Sequence, residues 1–468
     1  MKTFSKVAVA AVLLALGSNA FADSVEELKQ IIEQQNARIA ALEAKQAEQT
    51  SIQEIQHQDI LKVLNEMEQD AAQQNGMPGW LEDLKFFGDF RLRYQMDCRD
   101  WPRTGAPYDD DAPARHRARF RLRFGFKKYF QDKQWEVGFR LASGSSSNPT
   151  STNQTFGDAW VERPVWIDLA YVKYTPDFVK GLEVTAGKMK NPLMHKWNKV
   201  FWDSDVNPEG FWAEYTLECW DNFVPYAGAG YFILEEQSGF GYPSGWDGSA
   251  ASASSNNWKR DPALWAYLVG ADVKFGDNVK WTTEAYVHDW DYYRLAGDEM
   301  NGHFSNGTTR GNDFLNNVPG FSIIGINNWV SFKIMENLPE MGVFFDWAYN
   351  CDEHADASVS PDFTNEQNAI ATGVWMGKNK KAGDWKTGYT YAHIEANSVP
   401  GFFADSDFGG ANRKGHKLYF KYNLLDDVTL GTTVLYTQPI FGSVWTDSGD
   451  RREDHTTTVQ LDVVWKFK

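Results

Sequence analysis

The final eleven residues, from Thr458 to Lys468, read T-V-Q-L-D-V-V-W-K-F-K. Val459, Leu461, Val463, Trp465 and Phe467 fall on one side of an extended chain. Thr458, Gln460, Asp462, Lys466 and Lys468 fall on the other, with Val464 the one lapse. Alternation with a period of two specifies a strand with one apolar and one wet face. A tilted strand of this length is long enough to cross a bilayer. The same pattern recurs along the chain, with Trp, Tyr and Phe clustered near strand ends, so it constrains the whole architecture.

The N-terminus carries Lys2 and Lys6, an apolar run from Val7 to Leu16, and Ala20-Phe21-Ala22. These are the three parts of a secretory signal peptide, with cleavage expected after Ala22. The apolar run is too short for a spanning helix, and no later run is long enough for one. Alternation hides the hydrophobicity of a membrane barrel, so polar average composition does not argue against the membrane. The formal charge is −17, and loss of Lys2 and Lys6 takes it to −19. Such acidity argues against a nucleic-acid partner. Cys98, Cys219 and Cys351 are an odd number without a C-x-x-C or a Cys/His cluster. They give no zinc or haem site, and isolated thiols or one disulfide remain.

Residues 23–75 are rich in Glu, Gln, Ala and Lys. Val25, Leu28, Ile32, Ile39 and Leu42 form a heptad seam that resumes at Ile60, Leu64 and Met67, the gap having the spacing of a stutter. A self-associating coiled coil is the expectation. A lone amphipathic helix is the alternative. Asn75-Gly76-Met77-Pro78-Gly79 then breaks the helix, which gives a signal peptide over 1–22, a coiled coil over 23–75, a linker over 76–83 and a barrel over 84–468.

Strands are expected to begin near Leu84, Arg115, Gln134, Val165, Leu182, Phe211, Phe223, Leu264, Val279, Phe321, Gly342, Asn368, Trp385, Lys414, Val428 and Thr456. This is an even number, as a single-chain outer-membrane barrel requires. Short connections (Gln131-Asp132-Lys133, Asp221-Asn222, Asp277-Asn278, Asp426-Asp427) alternate with long ones (143–163, 237–261, 291–319, 396–412). Short turns belong to the periplasmic side and long loops outside, which places both chain ends in the periplasm. A soluble sandwich or propeller would need a second sheet over every apolar face, and no propeller-length repeat is visible. The expected fold is therefore all-β: a transmembrane antiparallel barrel of about sixteen strands, preceded by the coiled coil.

The second expected strand alternates cations with aromatics. Arg117, Arg119, Arg121 and Arg123 share one face, and Phe120, Leu122, Phe124 and Phe126 share the other. An arginine facing lipid at mid-bilayer would cost ~2–4 kcal/mol, so the arginines must face the lumen. Arg91, Arg93 and Arg140 on the neighbouring strands extend them into a ladder. One role is to attract anions or orient polar solutes. The other is to neutralise lumenal Asp89 and Glu136. After the fifth strand, Lys188 and Lys190 lead into Asn191–Gly210, which carries two prolines, bulky aromatics, Asp203, Asp205 and Glu209. So many aromatics in one connection indicate a loop folded into the pore, with its acids facing the arginines. A plain lid or a trimer contact is the alternative. His195 has no catalytic or metal-binding company: there is no H-E-x-x-H, no G-x-S-x-G and no phosphate-cradling loop. No enzyme, cofactor or metal site is expected.

Leu84–Tyr94, Ala118–Arg123 with Gly125, Ala186–Pro192 and, most specifically, Trp202-Asp203-Ser204-Asp205-Val206-Asn207-Pro208-Glu209-Gly210 resemble the putative porins of Gram-negative bacteria. The layout is also similar to the phosphate-selective porins, whose members can carry a coiled segment ahead of the barrel. The resemblance implies sixteen strands, a homotrimer in outer-membrane lipid, and passive diffusion of small polar solutes or ions past the loop after the fifth strand. A channel selective for phosphate, another anion or an oligosaccharide is the alternative, with Trp166 and Trp212 as sugar-stacking surfaces. A tether between outer membrane and cell wall is the third reading.

Overall fold

In the computed structural model the described residues are 33–38, 62, 81, 83–99, 114–145, 148–218, 220–234, 262–291, 320–335, 338–352, 366–440 and 455–467. The chain divides into two units, Met1–Glu82 and Asp83–Lys468. In the first unit residues 33–38 are helical. The signal peptide, nearly all of the expected coiled coil and most of the linker lie outside the described residues.

The second unit is a closed antiparallel sheet. Its strands are β1 Leu84–Arg99, β2 Arg115–Phe130, β3 Trp135–Ala142, β4 Gln154–Thr155, β5 Trp166–Tyr174, β6 Leu182–Lys188, β7 Glu209–Thr216, β8 Phe223–Ile233 and β9 Ala263–Phe275. They continue with β10 Val279–Asp291, β11 Phe321–Phe332, β12 Met341–Asn350, β13 Asn368–Gly377, β14 Trp385–Ile394, β15 Arg413–Leu425, β16 Val428–Pro439 and β17 Thr456–Phe467. Apart from β4, each strand pairs with the next along the wall, and β17 returns to β1 from Gly88↔Phe467 to Arg99↔Thr456. The two-residue β4 is not a wall strand: it pairs only with β2, beyond the end of β3. The wall therefore has sixteen strands, and their starts lie within two residues of those read from the alternation.

Closure removes the sheet edges that would otherwise expose unpaired backbone groups. It also gives every alternating strand the same two environments. Phe86, Leu92, Tyr94, Leu122, Phe124, Phe211, Leu418, Leu461 and Trp465 stand exposed on the outside of the barrel. Asp89, Arg93, Gln95, Asp97, Arg121, Glu136, Arg140, Glu284 and Asp346 are buried inside. Several lumenal rings lie flat across a neighbouring strand because the residue beneath is glycine. A Cβ at Gly228 would come within 2.2 Å of the Trp212 ring, and one at Gly325 within 2.2 Å of the Tyr286 ring.

The turns at Gln131–Gln134 and between β9 and β10 and β15 and β16 are tight. The long connections divide into two kinds. Parts of the connections 143–163 and 396–412, expected to lie outside the barrel, instead fold inward: residues 150–153 and 403–405 pack with the loop 189–208. Cys98 and Cys351 are free thiols, and Cys219 lies outside the described residues.

Candidate pore wall and inward loops

The inward loop 189–208 is closed at its base by Met189 N–H donating to the Pro208 carbonyl at 3.0 Å. Its bends are made locally by Asn and Asp side chains that accept from the backbone two residues on. Asn191 accepts from Leu193 N–H at 2.8 Å, Asn198 from Val200 N–H at 2.6 Å, and Asp203 from Asp205 N–H at 2.8 Å. The loop 395–412 repeats the device, with Asp405 accepting from Asp407 N–H at 2.9 Å. The shared tripeptide, Asp203-Ser204-Asp205 and Asp405-Ser406-Asp407, is a sequence signal of inward folding that the strand pattern does not contain. The loops join through Asp203 N–H to the Phe403 carbonyl (2.8 Å) and Asp405 N–H to the Val200 carbonyl (3.0 Å).

One half of the wall holds these loops. Leu193, Met194, Val200, Phe201, Trp202 and Val206 pack on lumenal Tyr226, Leu268, Tyr286 and Trp290, with Val399 and Phe408 in the same core. Trp202 stacks on Phe403 with ring centres 5.5 Å apart, and Trp290 lies 5.9 Å from Trp202. Buried wall carboxylates fasten the backbone. Glu284 on β10 accepts from His195 N–H (2.9 Å), Lys196 N–H (3.4 Å), the Tyr226 hydroxyl (2.7 Å) and Asn327 Nδ2 (3.2 Å). Asp346 on β12 accepts from Asn198 N–H (2.7 Å) and Trp329 Nε1 (2.8 Å). His195 is held by Glu214 at 3.0 Å and stacks on Tyr226 at 4.1 Å. Burial pulls its imidazole down, but Glu214 and then Glu284 raise it above the usual 6.5.

The other half, β17-β1-β2-β3-β5, carries the arginines. Arg93 meets Asp462 (2.7 Å) and Asp407 (3.2 Å), and Arg117 meets Asp97 (2.6 Å). Arg121 (2.7 Å) and Arg123 (2.6 Å) share Asp89, and Arg140 pairs with Asp168. Arg123 also reaches Asp205 of the inward loop at 3.5 Å. Among the described residues Arg119 donates only to the neutral acceptors Gln95 (3.0 Å) and Ser151 (3.4 Å), and Arg91 only to Asn153. Glu136, expected to balance an arginine, instead pairs with Lys127 at 2.7 Å and accepts from Tyr171.

The expected pore residues thus separate into groups. Arg91, Arg93, Arg117, Arg119, Arg121, Arg123 and Arg140 share the lumenal face with Asp205. Asp203 sits between the two inward loops, where burial and then Asp405 and Asp205 raise its carboxyl. Burial acts the same way on Asp205, but Arg121, Arg123 and Arg91 outweigh it and keep that carboxyl low. Lys190 is exposed at the loop stem. Lys188 and Glu209 do not join this group. They are the last rung of β6 and the first of β7, paired with each other at 2.6 Å. Lys188 stands beside Ala170 and thus in register with Phe139, on the outer-facing parity. Trp212 is 2 % exposed and covered by Phe232 and its own wall, so it offers no sugar-stacking face. Trp166 remains half-exposed.

A closed sixteen-strand barrel with an apolar outside, a charged lumen and loops folded within defines an outer-membrane channel protein. Residues 96–339 and 340–447 match the family model described as "Putative porin", and the chain belongs to that family. The match extends well beyond Gly210, where the resemblance of individual motifs ends. Similar solved structures include OprB of Pseudomonas putida at high pH (13 % identity, 82 % of this chain and 94 % of that one, TM-score 0.45). OmpT of Vibrio cholerae is similar at 12 % identity, 82 % and 97 % coverage and a TM-score of 0.41. A triple mutant of Rhodopseudomonas blastica porin has 10 % identity, 82 % and 100 % coverage and a TM-score of 0.39. No curated protein matches the chain in sequence.

Proposed function

We propose that this protein is a passive-diffusion porin whose route for small hydrophilic solutes or ions runs between the arginine wall and the inward loops. The observation that carries this reading is the division of the lumen. Buried Glu284 and Asp346 fasten the loop 189–208 to one side, and the cations occupy the other. A loop held by its backbone on wall carboxylates keeps a fixed position, which is what a constriction of constant size needs. Asp205 opposite Arg123 makes a transverse field that aligns dipolar solutes. In this reading Arg91, Arg93, Arg117, Arg119, Arg121, Arg123, Arg140, Lys190, Asp203 and Asp205 border the route, and Lys188 and Glu209 do not. The protein works as a homotrimer in the outer membrane, with residues 23–75 as a coiled coil in the periplasm.

Single-channel recording in planar bilayers, with reversal potentials in a salt gradient, tests the reading. Stepwise, linear conductance is expected. Purified, folded protein that inserts without conducting would overturn it. A second reading, an anion-selective channel, is favoured by Arg91 and Arg119, which have no carboxylate partner among the described residues.

A further inference from the structure

We propose that Arg91 and Arg119, with Ser151 and Asn153, form a binding site for a small oxyanion of the sulfate or phosphate type. The proposal rests on the pore reading for its access route and goes beyond it by naming the site and ligand class.

Strand register explains why these two cations have no carboxylate partner among the described residues. On β1 and β2, Arg91 stands opposite Arg121, and Arg93 opposite Arg119. Like charges facing each other across strands repel, so each row needs a countercharge from the next strand. The β17 register supplies Asp462 opposite Arg93. One rung away it supplies Val464 opposite Arg91, the single lapse in the alternation of the last strand. On the other side, Arg119 faces Thr155 of β4. Neither neighbouring position holds an acid.

The nearby carboxylates are committed elsewhere. Asp97 serves Arg117, Gln95 and Thr458, while Asp462 and Asp407 serve Arg93. Asp205 accepts from Thr152 and Arg123. Among the described residues, the Nε–H groups of Arg91 and Arg119 are buried and have no acceptor. A buried, unsatisfied donor on a cation is costly, and an anion would satisfy it.

Residues 151–153 tie the two arginines together. Arg91 donates to Asn153, Asn153 Nδ2 donates to Ser151 Oγ at 3.3 Å, and Arg119 donates to the same Oγ at 3.4 Å. A tetrahedral oxyanion has the acceptors that two guanidinium forks and neighbouring hydroxyl and amide donors require. Chloride is a point charge and matches this array less well.

The test uses the full chain. Arg91→Gln with Arg119→Gln removes both cations. The control, Lys127→Gln with Glu136→Gln, removes a cation with its paired carboxylate and leaves net charge unchanged. Equilibrium dialysis with labelled sulfate measures binding directly, and conductance in sodium sulfate, sodium phosphate and sodium chloride measures saturation. Heat-modifiable gel mobility confirms that each variant is folded. Saturable sulfate binding by the wild type is expected, with half-saturation raised about tenfold or more in the arginine double variant and unchanged in the control. Tenfold corresponds to loss of one charge-assisted bond. Sulfate binding that survives the double variant, or falls equally in the control, overturns the site whether or not the protein conducts. Sulfate binding with the predicted dependence but without conductance would support the site and overturn the pore reading alone.

Discussion

Glu284 offers the most direct test of how the inward loop is held. Its carboxylate is 1 % exposed and accepts backbone hydrogen bonds from His195 and Lys196 as well as bonds from Tyr226 and Asn327. Glu284→Gln keeps the side chain's volume but removes the charge and turns one acceptor into a donor aimed at other donors. A hydrogen bond to a charged group contributes ~1.5–3 kcal/mol, and losing two, partly offset by no longer burying a charge, leaves roughly 2–4 kcal/mol. The Asp346 anchor at Asn198 remains, so the loop should open locally while the barrel stays folded. Local opening should become about 30- to 1000-fold more frequent. Hydrogen exchange of a peptide covering residues 191–208 reads this directly, with a β15–β16 peptide as internal reference. Single-channel records should become noisier in parallel. Unchanged exchange in that loop would refute the argument that the wall carboxylate holds it.

Other outcomes follow from the same geometry. Against burial, the bond to Glu214 and then the charge of Glu284 favour the protonated imidazole of His195. Its stabilising contribution is complete below the ordinary value of 6.5 and is lost as pH rises through the higher folded value, so loop exchange should quicken over that rise in wild type and not in His195→Phe. Leu122→Arg places a cation on the lipid face and should cost ~2–4 kcal/mol in urea titrations of vesicle-folded protein; an unchanged midpoint would mean that Leu122 does not face lipid. Gly228→Ala drives a methyl into the Trp212 ring and should cost about 1–3 kcal/mol by the same assay, whereas full stability would show that the ring moves freely. If the proposed homotrimer forms, deleting residues 23–74 should weaken it on unheated gels, and undiminished oligomer stability would make that segment a spacer.

Alternation alone determined the strands. Because side chains on a strand take opposite faces, Arg117–Arg123 and Phe120–Phe126 had to divide between lumen and lipid whatever lay beside them. The starts of the wall strands, their even number and the inward arginines follow from that one rule. The folding of 189–208 into the barrel was legible from its aromatics, which cannot remain in water. That of 395–412 was marked only by the repeated Asp-Ser-Asp, whose meaning depends on knowing what the first copy does. Where each loop begins depended on the ladder: Lys188 and Glu209 read as loop residues, yet β6 and β7 run one rung further and turn them outward. The pairing of charges was decided by tertiary structure alone. Arg93 and Asp462 are 369 residues apart and meet only because β17 closes on β1 in one register. A shift of that register by one residue would turn every side chain of β17 to the opposite face. Alternation put the arginines on the face opposite the aromatics, and closure of the barrel decided which of them meet a carboxylate among the described residues.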